Sequence, residues 1–100
     1  AARVEVAPAV MAYLVDICRA TRTSPAVRLG VSPRGATALL RTSRVWAFLQ
    51  GRGFVTPDDV KTMAPSTLAH RLGLRAEANL EGITAVNVIS GVLAATPVPR

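Results

Sequence analysis

Three prolines, Pro8, Pro33 and Pro57, each open a stretch of helix-spaced apolar residues, and this placement constrains the fold more than any other feature. Proline suits the first helical position, where its missing N–H leaves no partner unsatisfied. Ser32 and Thr56 stand directly before two of these prolines. Their hydroxyls can accept bonds from the orphan N–H groups of a first turn. The chain therefore reads as short helices that begin at fixed points, joined by at most very short extended pieces.

Along the chain, Arg3-Val4-Glu5-Val6 alternates and reads as an extended lead-in. A first helix runs from Pro8 to about Arg22 with a stripe of Val10, Tyr13, Leu14, Ile17 and Cys18, spaced for one helical face. Thr23-Ser24-Pro25 ends it, and a connector over 26–31 is expected to bury Leu29 and Val31. The second helix spans Pro33 to about Gln50, with Gly51 and Gly53 as the stop. Its apolar positions (Ala36, Leu39, Leu40, Val45, Trp46, Ala47, Phe48, Leu49) cover a wide arc. That width predicts a central helix with neighbours on several sides and Trp46 as a packing anchor.

Thr56-Pro57-Asp58-Asp59 starts a third helix, its two acids complementing the helix dipole. Pro65 is expected to interrupt that helix, leaving a kinked or restarted segment to about Arg71. Leu72 to Ile83 reads as a polar connector. Thr84 caps a last helix buried through Ala85, Val88, Ile89, Val92 and Leu93. Residues 96–100 form an extended tail. One domain over 1–100 results, all-α, a small bundle of about four main helices. Half of the 100 residues are hydrophobic but only 4% aromatic, so Ala, Val and Leu build the core.

The formal net charge is +6, and eleven of the twelve basic residues are arginine. Seven arginines and no acid lie between Arg19 and Arg52, which favours phosphates, nucleic acid or acidic protein surfaces. Cys18 is alone, so no internal disulfide forms, and one Cys with one His makes no structural zinc site. No metal ligand set is expected. No apolar run approaches a membrane span and no secretory leader opens the chain, so a cytoplasmic setting is the expectation. The start at Ala1-Ala2 without Met suggests a piece of something longer.

Few residues carry chemistry. Lys61-Thr62 would end a P-loop, but Val55 and Val60 occupy the glycine positions that let a backbone approach phosphate. Asp58 and Asp59 read as helix-capping groups, His70 as a surface histidine and Cys18 as core. Ser32-Pro33-Arg34-Gly35 differs. Ser32 caps, Pro33 takes the first position, and Arg34 falls beside a helix N-terminus whose field favours anions. Arg34 is either a solvated arginine or a group that, with the helix end, addresses a phosphate.

Residues 29–35 (Leu-Gly-Val-Ser-Pro-Arg-Gly), residues 51–60 (Gly-Arg-Gly-Phe-Val-Thr-Pro-Asp-Asp-Val), Ala69-His70-Arg71-Leu72, Arg19-Ala20-Thr21-Arg22 and the terminal Pro97-Val98-Pro99 resemble the C-terminal lid domain of MoxR-family AAA+ ATPases. The order and spacing fit across nearly the whole chain. The resemblance implies a helical lid following an α/β ATPase core that carries Walker A, Walker B and an arginine finger. None of those elements lies in this chain. It implies that Ser32-Pro33-Arg34 is the sensor 2 motif, with Arg34 reaching the ATP γ-phosphate and Ser32 and Pro33 shaping the nucleotide-binding corner. Arg28 and Arg41 are further candidates for phosphate or inter-subunit contact, with a solvated face as the alternative. ATP and Mg2+ would be bound mainly by the core, so the chain is not an enzyme by itself while its parent hydrolyses ATP. Implied partners are that core, neighbouring subunits of a hexameric ring, and proteins with von Willebrand factor A domains, in chaperone-like maturation of other proteins. Arginine and alanine richness suggests a bacterial source. Two competing readings are a basic, histone-fold-like nucleic-acid module, supported by the Gly51-to-Val60 stretch, and a structural bundle in which Arg34 has no special role.

Overall fold

A computed structural model describes residues 4–99; Arg3 and Arg100, at the two ends expected to be extended, lie outside the described residues. The order is α1 (Pro8–Thr23), β1 (Val27–Leu29), α2 (Pro33–Leu49), α3 (Pro57–Leu68), a 3-10 turn (Ala69–Arg71), β2 (Gly73–Leu74), α4 (Ala76–Leu80) and α5 (Ala85–Ala95). α2 packs most extensively on α3; α3 also meets α5, and α1 meets both α2 and α5. Ile17, Val31, Leu39, Val60, Leu68 and Ile89 are sealed from solvent at the centre. The five residues expected on the α1 stripe are all buried.

The helix boundaries follow local chemistry. Thr56 and Asp59 form a reciprocal capping box on α3, and Thr84 and Asn87 form one on α5. α2 ends where Gly51 takes a positive φ of 77°, a conformation open to glycine. Arg52 N–H then reaches Ala47 O (3.0 Å) and Gly51 N–H reaches Phe48 O (2.9 Å), the paired closure of a Schellman end. Arg52 next forms an ion pair with Asp59, which is only 2% exposed. Asp59 also accepts from Thr56 N–H at 2.7 Å. One carboxylate thus joins the end of α2 to the start of α3. The lead-in bonds to the same loop, with Glu5 N–H to Gly53 O and Val55 N–H to Glu5 O, both 2.9 Å.

Several expectations are corrected. Pro65 does not interrupt α3. The helix continues to Leu68, and Ala69 N–H closes onto Pro65 O. Val60, Ala64, Thr67 and Leu68 are buried on both sides of the proline, and their packing offsets the lost backbone bond. The stretch Leu72 to Ile83 is not merely a connector: it holds β2 and the five-residue α4, a short addition to the four main helices expected. β2 pairs antiparallel with β1 through Val27↔Leu74 and Leu29↔Gly73, with an irregular register between them. That irregularity turns Leu29 outward, 61% exposed, whereas Val31 is buried as expected. α2 buries a single narrow stripe, Gly35, Leu39, Ser43 and Ala47, not a wide arc. Val45, Phe48 and Leu49 are half or more exposed, and Trp46 is only partly buried.

Asp59 carries the cap and the ion pair together, so Asp59→Ala should lower unfolding free energy by about 2–4 kcal/mol. Urea denaturation of the two proteins side by side checks this, with an unchanged midpoint as the contrary result.

Candidate functional site

The site begins one residue before the α2 cap. Val31 N–H donates to Thr21 Oγ1 at 3.0 Å. Arg22 Nε and Nη2 donate to Val31 O at 3.3 and 3.2 Å. Both backbone polar groups of Val31 are therefore taken by adjacent side chains in the last turn of α1. Thr21 is fully buried and its own proton goes to Cys18 O at 2.6 Å. Gly30 permits the approach: a Cβ there would lie 2.6 Å from Arg22 Cγ and 2.9 Å from Arg22 Cα. On the other side, Val31 Cγ1 fills the notch that Gly35 leaves in the first turn of α2, where a Cβ would collide with it.

α2 starts from this fixed point. Ser32 is extended, and its Oγ accepts from Gly35 N–H at 3.4 Å, a long cap bond. Pro33 takes the first helical position and Arg34 the next. Arg34 is exposed, and the single ion pair among the described residues is Arg52–Asp59, so the Arg34 charge is uncompensated by a carboxylate. A free guanidinium in the first turn adds to the positive helix end instead of cancelling it, and the two together can hold an anionic oxygen.

Ser32, Pro33 and Arg34 share the first turn of α2, and the other two candidates lie outside that turn. Arg28 lies on β1, with Nη2 3.3 Å from where a Cβ on Gly73 would stand, so its guanidinium crosses β2. Arg41 sits seven residues along α2, roughly 10 Å up the axis. It lines a separate open groove of about 950 Å³ together with Leu40, Arg44, Val45, Phe48 and the lead-in residue Glu5. Sequence reasoning missed Arg71 at this corner. Its Nε donates to Thr67 O at 3.2 Å, and its Cδ lies 3.5 Å from the position of a Gly35 Cβ. It also missed the roles of Thr21 and Arg22. The resemblance of residues 19–22 and a polar pair ending an apolar helix were their only signals, and neither says anything of a partner nine or ten residues on.

The remaining titratable groups do not converge. Among the described residues no three His, Cys, Asp or Glu side chains cluster as a metal site. Cys18 is buried, and burial pushes its thiol up to about 11, with Arg22 pulling weakly the other way. Among the described residues no helix is long and apolar enough to cross a membrane. The Gly51-to-Val60 stretch that suggested a histone-like loop is a Schellman end followed by a capping box, joined by the Arg52–Asp59 pair.

The chain belongs to the AAA lid domain family, which matches residues 19–92. Its relatives narrow this to the lid of a MoxR-type AAA+ ATPase. MoxR of Methylorubrum extorquens is 39% identical over 80 residues, covering 67% of this chain and 23% of that protein. Chaperone MoxR1 of Mycobacterium tuberculosis is 35% identical over 74 residues, covering 74% and 20%. YeaC of Bacillus subtilis, itself uncharacterized, is 45% identical over 87 residues, covering 87% and 27%. A crystal structure of a candidate ATPase from Cytophaga hutchinsonii superposes over 98% of this chain and 32% of its own, with a TM-score of 0.91 and 27% identity. The chain thus spans between a fifth and a third of the length of the proteins it matches.

Gly35→Ala should cost about 1–3 kcal/mol by forcing Val31 out of its notch, read as a lowered melting temperature. The Cys18 thiol, raised to about 11, stays protonated at pH 8. Iodoacetamide should therefore leave it unmodified in the folded protein and alkylate it in urea. Rapid labelling without denaturant would contradict the buried placement.

Proposed function

We propose that this lid closes over ATP held by an ATPase core in the same parent protein, and that Arg34 reads the γ-phosphate. The observation that carries the reading is an exposed, carboxylate-free arginine in the first turn of a helix whose start is capped by Ser32 and fixed by Pro33. Negative charge sits on the γ-phosphate and its bridging oxygen during transfer, and an arginine held on a rigid element stabilises it without reorganising. Loss of that phosphate removes the contact, so the position of the lid follows the nucleotide.

The residues here fit the phosphate tail of ATP, while the base, the sugar and Mg2+ would be held mainly by the core. The parent would be an ATP hydrolase that works in a ring, commonly six subunits, in the bacterial cytoplasm. It would remodel or mature partner proteins, with von Willebrand factor A domain proteins among them. The name of the M. tuberculosis relative, a chaperone, supports that direction.

Arg34→Ala in the full-length parent should lower ATP turnover by at least about tenfold while the helical circular-dichroism signal is kept. Unchanged turnover together with unchanged nucleotide affinity would leave Arg34 a surface residue. The 100-residue chain alone should fold and show negligible ATP hydrolysis; sustained phosphate release from a clean preparation would count against the assignment of catalysis to the core.

A further inference from the structure

We infer that Thr21 and Arg22 are positioning residues for Arg34, acting through Val31 as a rigid joint between α1 and α2. The inference rests on the reading of Arg34 given above and adds the device that aims it. Val31 is gripped at three points. Its N–H is held by Thr21 and its carbonyl by two nitrogens of Arg22. Its side chain is fully buried and seated against Gly35, the residue directly after Arg34.

The geometry leaves little slack. Thr21 and Arg22 are neighbours in one helical turn, so their two grips cannot shift independently. Arg22 Cα and Cγ crowd Gly30, which stops the connector from sliding along α1. Val31 in turn occupies the notch that Gly35 leaves in the first turn of α2. A tilt of α1 is therefore passed to the α2 start, and so to the Arg34 guanidinium, as a rigid-body movement. The Ser32 cap is too long, at 3.4 Å, to fix the turn alone. A displacement of about 1 Å at a charge-stabilising group can cost two orders of magnitude in rate, so small play at Val31 matters.

Arg22 itself does not face the corner. Its Nε and one Nη are committed to the Val31 carbonyl, while Arg34 has no such partner among the described residues. The two arginines are distinguishable by role: Arg34 meets the ligand and Arg22 meets the backbone that carries Arg34.

The test uses the full-length parent and measures the dissociation constants for ADP and for a non-hydrolysable ATP analogue, with their ratio as the readout. Arg22→Met removes the donors but keeps a stem to pack over Gly30; Thr21→Val removes the hydroxyl at constant shape. Each should shrink the preference for the triphosphate analogue over ADP by about tenfold while ADP affinity holds. Thr21→Ser, which keeps the hydroxyl, should restore most of it, and Arg22→Lys part. In an Arg34→Ala background, neither Arg22→Met nor Thr21→Val should reduce the ratio further. If Arg34→Ala collapses the ratio but Arg22→Met and Thr21→Val leave it intact, the joint is overturned and the γ-phosphate reading stands. If Arg34→Ala itself leaves the ratio unchanged, both fall. If both substitutions abolish folding, the pair serves stability rather than aim, and the inference is likewise overturned.

Discussion

The hold of α1 on Val31 is the constraint from which the rest of the site follows. Two ordinary side chains, Thr21 and Arg22, take both backbone groups of one residue that belongs to neither helix. A buried backbone N–H or carbonyl without a partner is costly, so the connector has one favourable path past the end of α1. Two glycines make that path passable. Gly30 admits the connector against Arg22, and Gly35 admits the side chain of Val31 into α2. The cap at Ser32, the proline at 33 and the outward aim of Arg34 inherit their position from this joint.

The far end of α2 is fixed by a different kind of bond. The Arg52–Asp59 ion pair and the paired capping bonds of Thr56 hold the turn between α2 and α3. α2 is thus anchored at both ends, by hydrogen bonds to α1 at one and by a mostly buried carboxylate at the other. Between the anchors it buries only Gly35, Leu39, Ser43 and Ala47. The opposite face keeps Arg41 and Arg44 beside Val45, Phe48 and Leu49, which suits a domain that works against other surfaces better than one that stands alone.

The residues that misled are instructive. Pro65 carries a local penalty inside a helix, but Ala64 and Leu68 are sealed in the core around it, and burial outweighs the penalty. Leu29 is apolar, yet an irregular strand register turns it outward. Val45, Phe48 and Leu49 have the spacing of a buried arc, but among the described residues they stay half or more exposed. In the first two cases the competing effect came from a segment distant in sequence. Arg71 shows the same limit at the site: its approach to Gly35 spans thirty-six positions, and nothing near either residue announces it.

The sequence by itself determined where α1, α2, α3 and α5 start and where α2 stops, because caps, prolines and glycines act within four or five residues of their own position. It also determined that Ser32, Pro33 and Arg34 share one turn, and that the charge there is positive, since no acid lies between Arg19 and Arg52. Only the tertiary structure decided which faces are covered, that Arg28 lies across β2 and Arg41 along a groove of α2, and that Arg22 bonds the Val31 carbonyl. Those outcomes depend on which helices meet, and a pairwise contact between remote segments has no local signature for a residue pattern to carry.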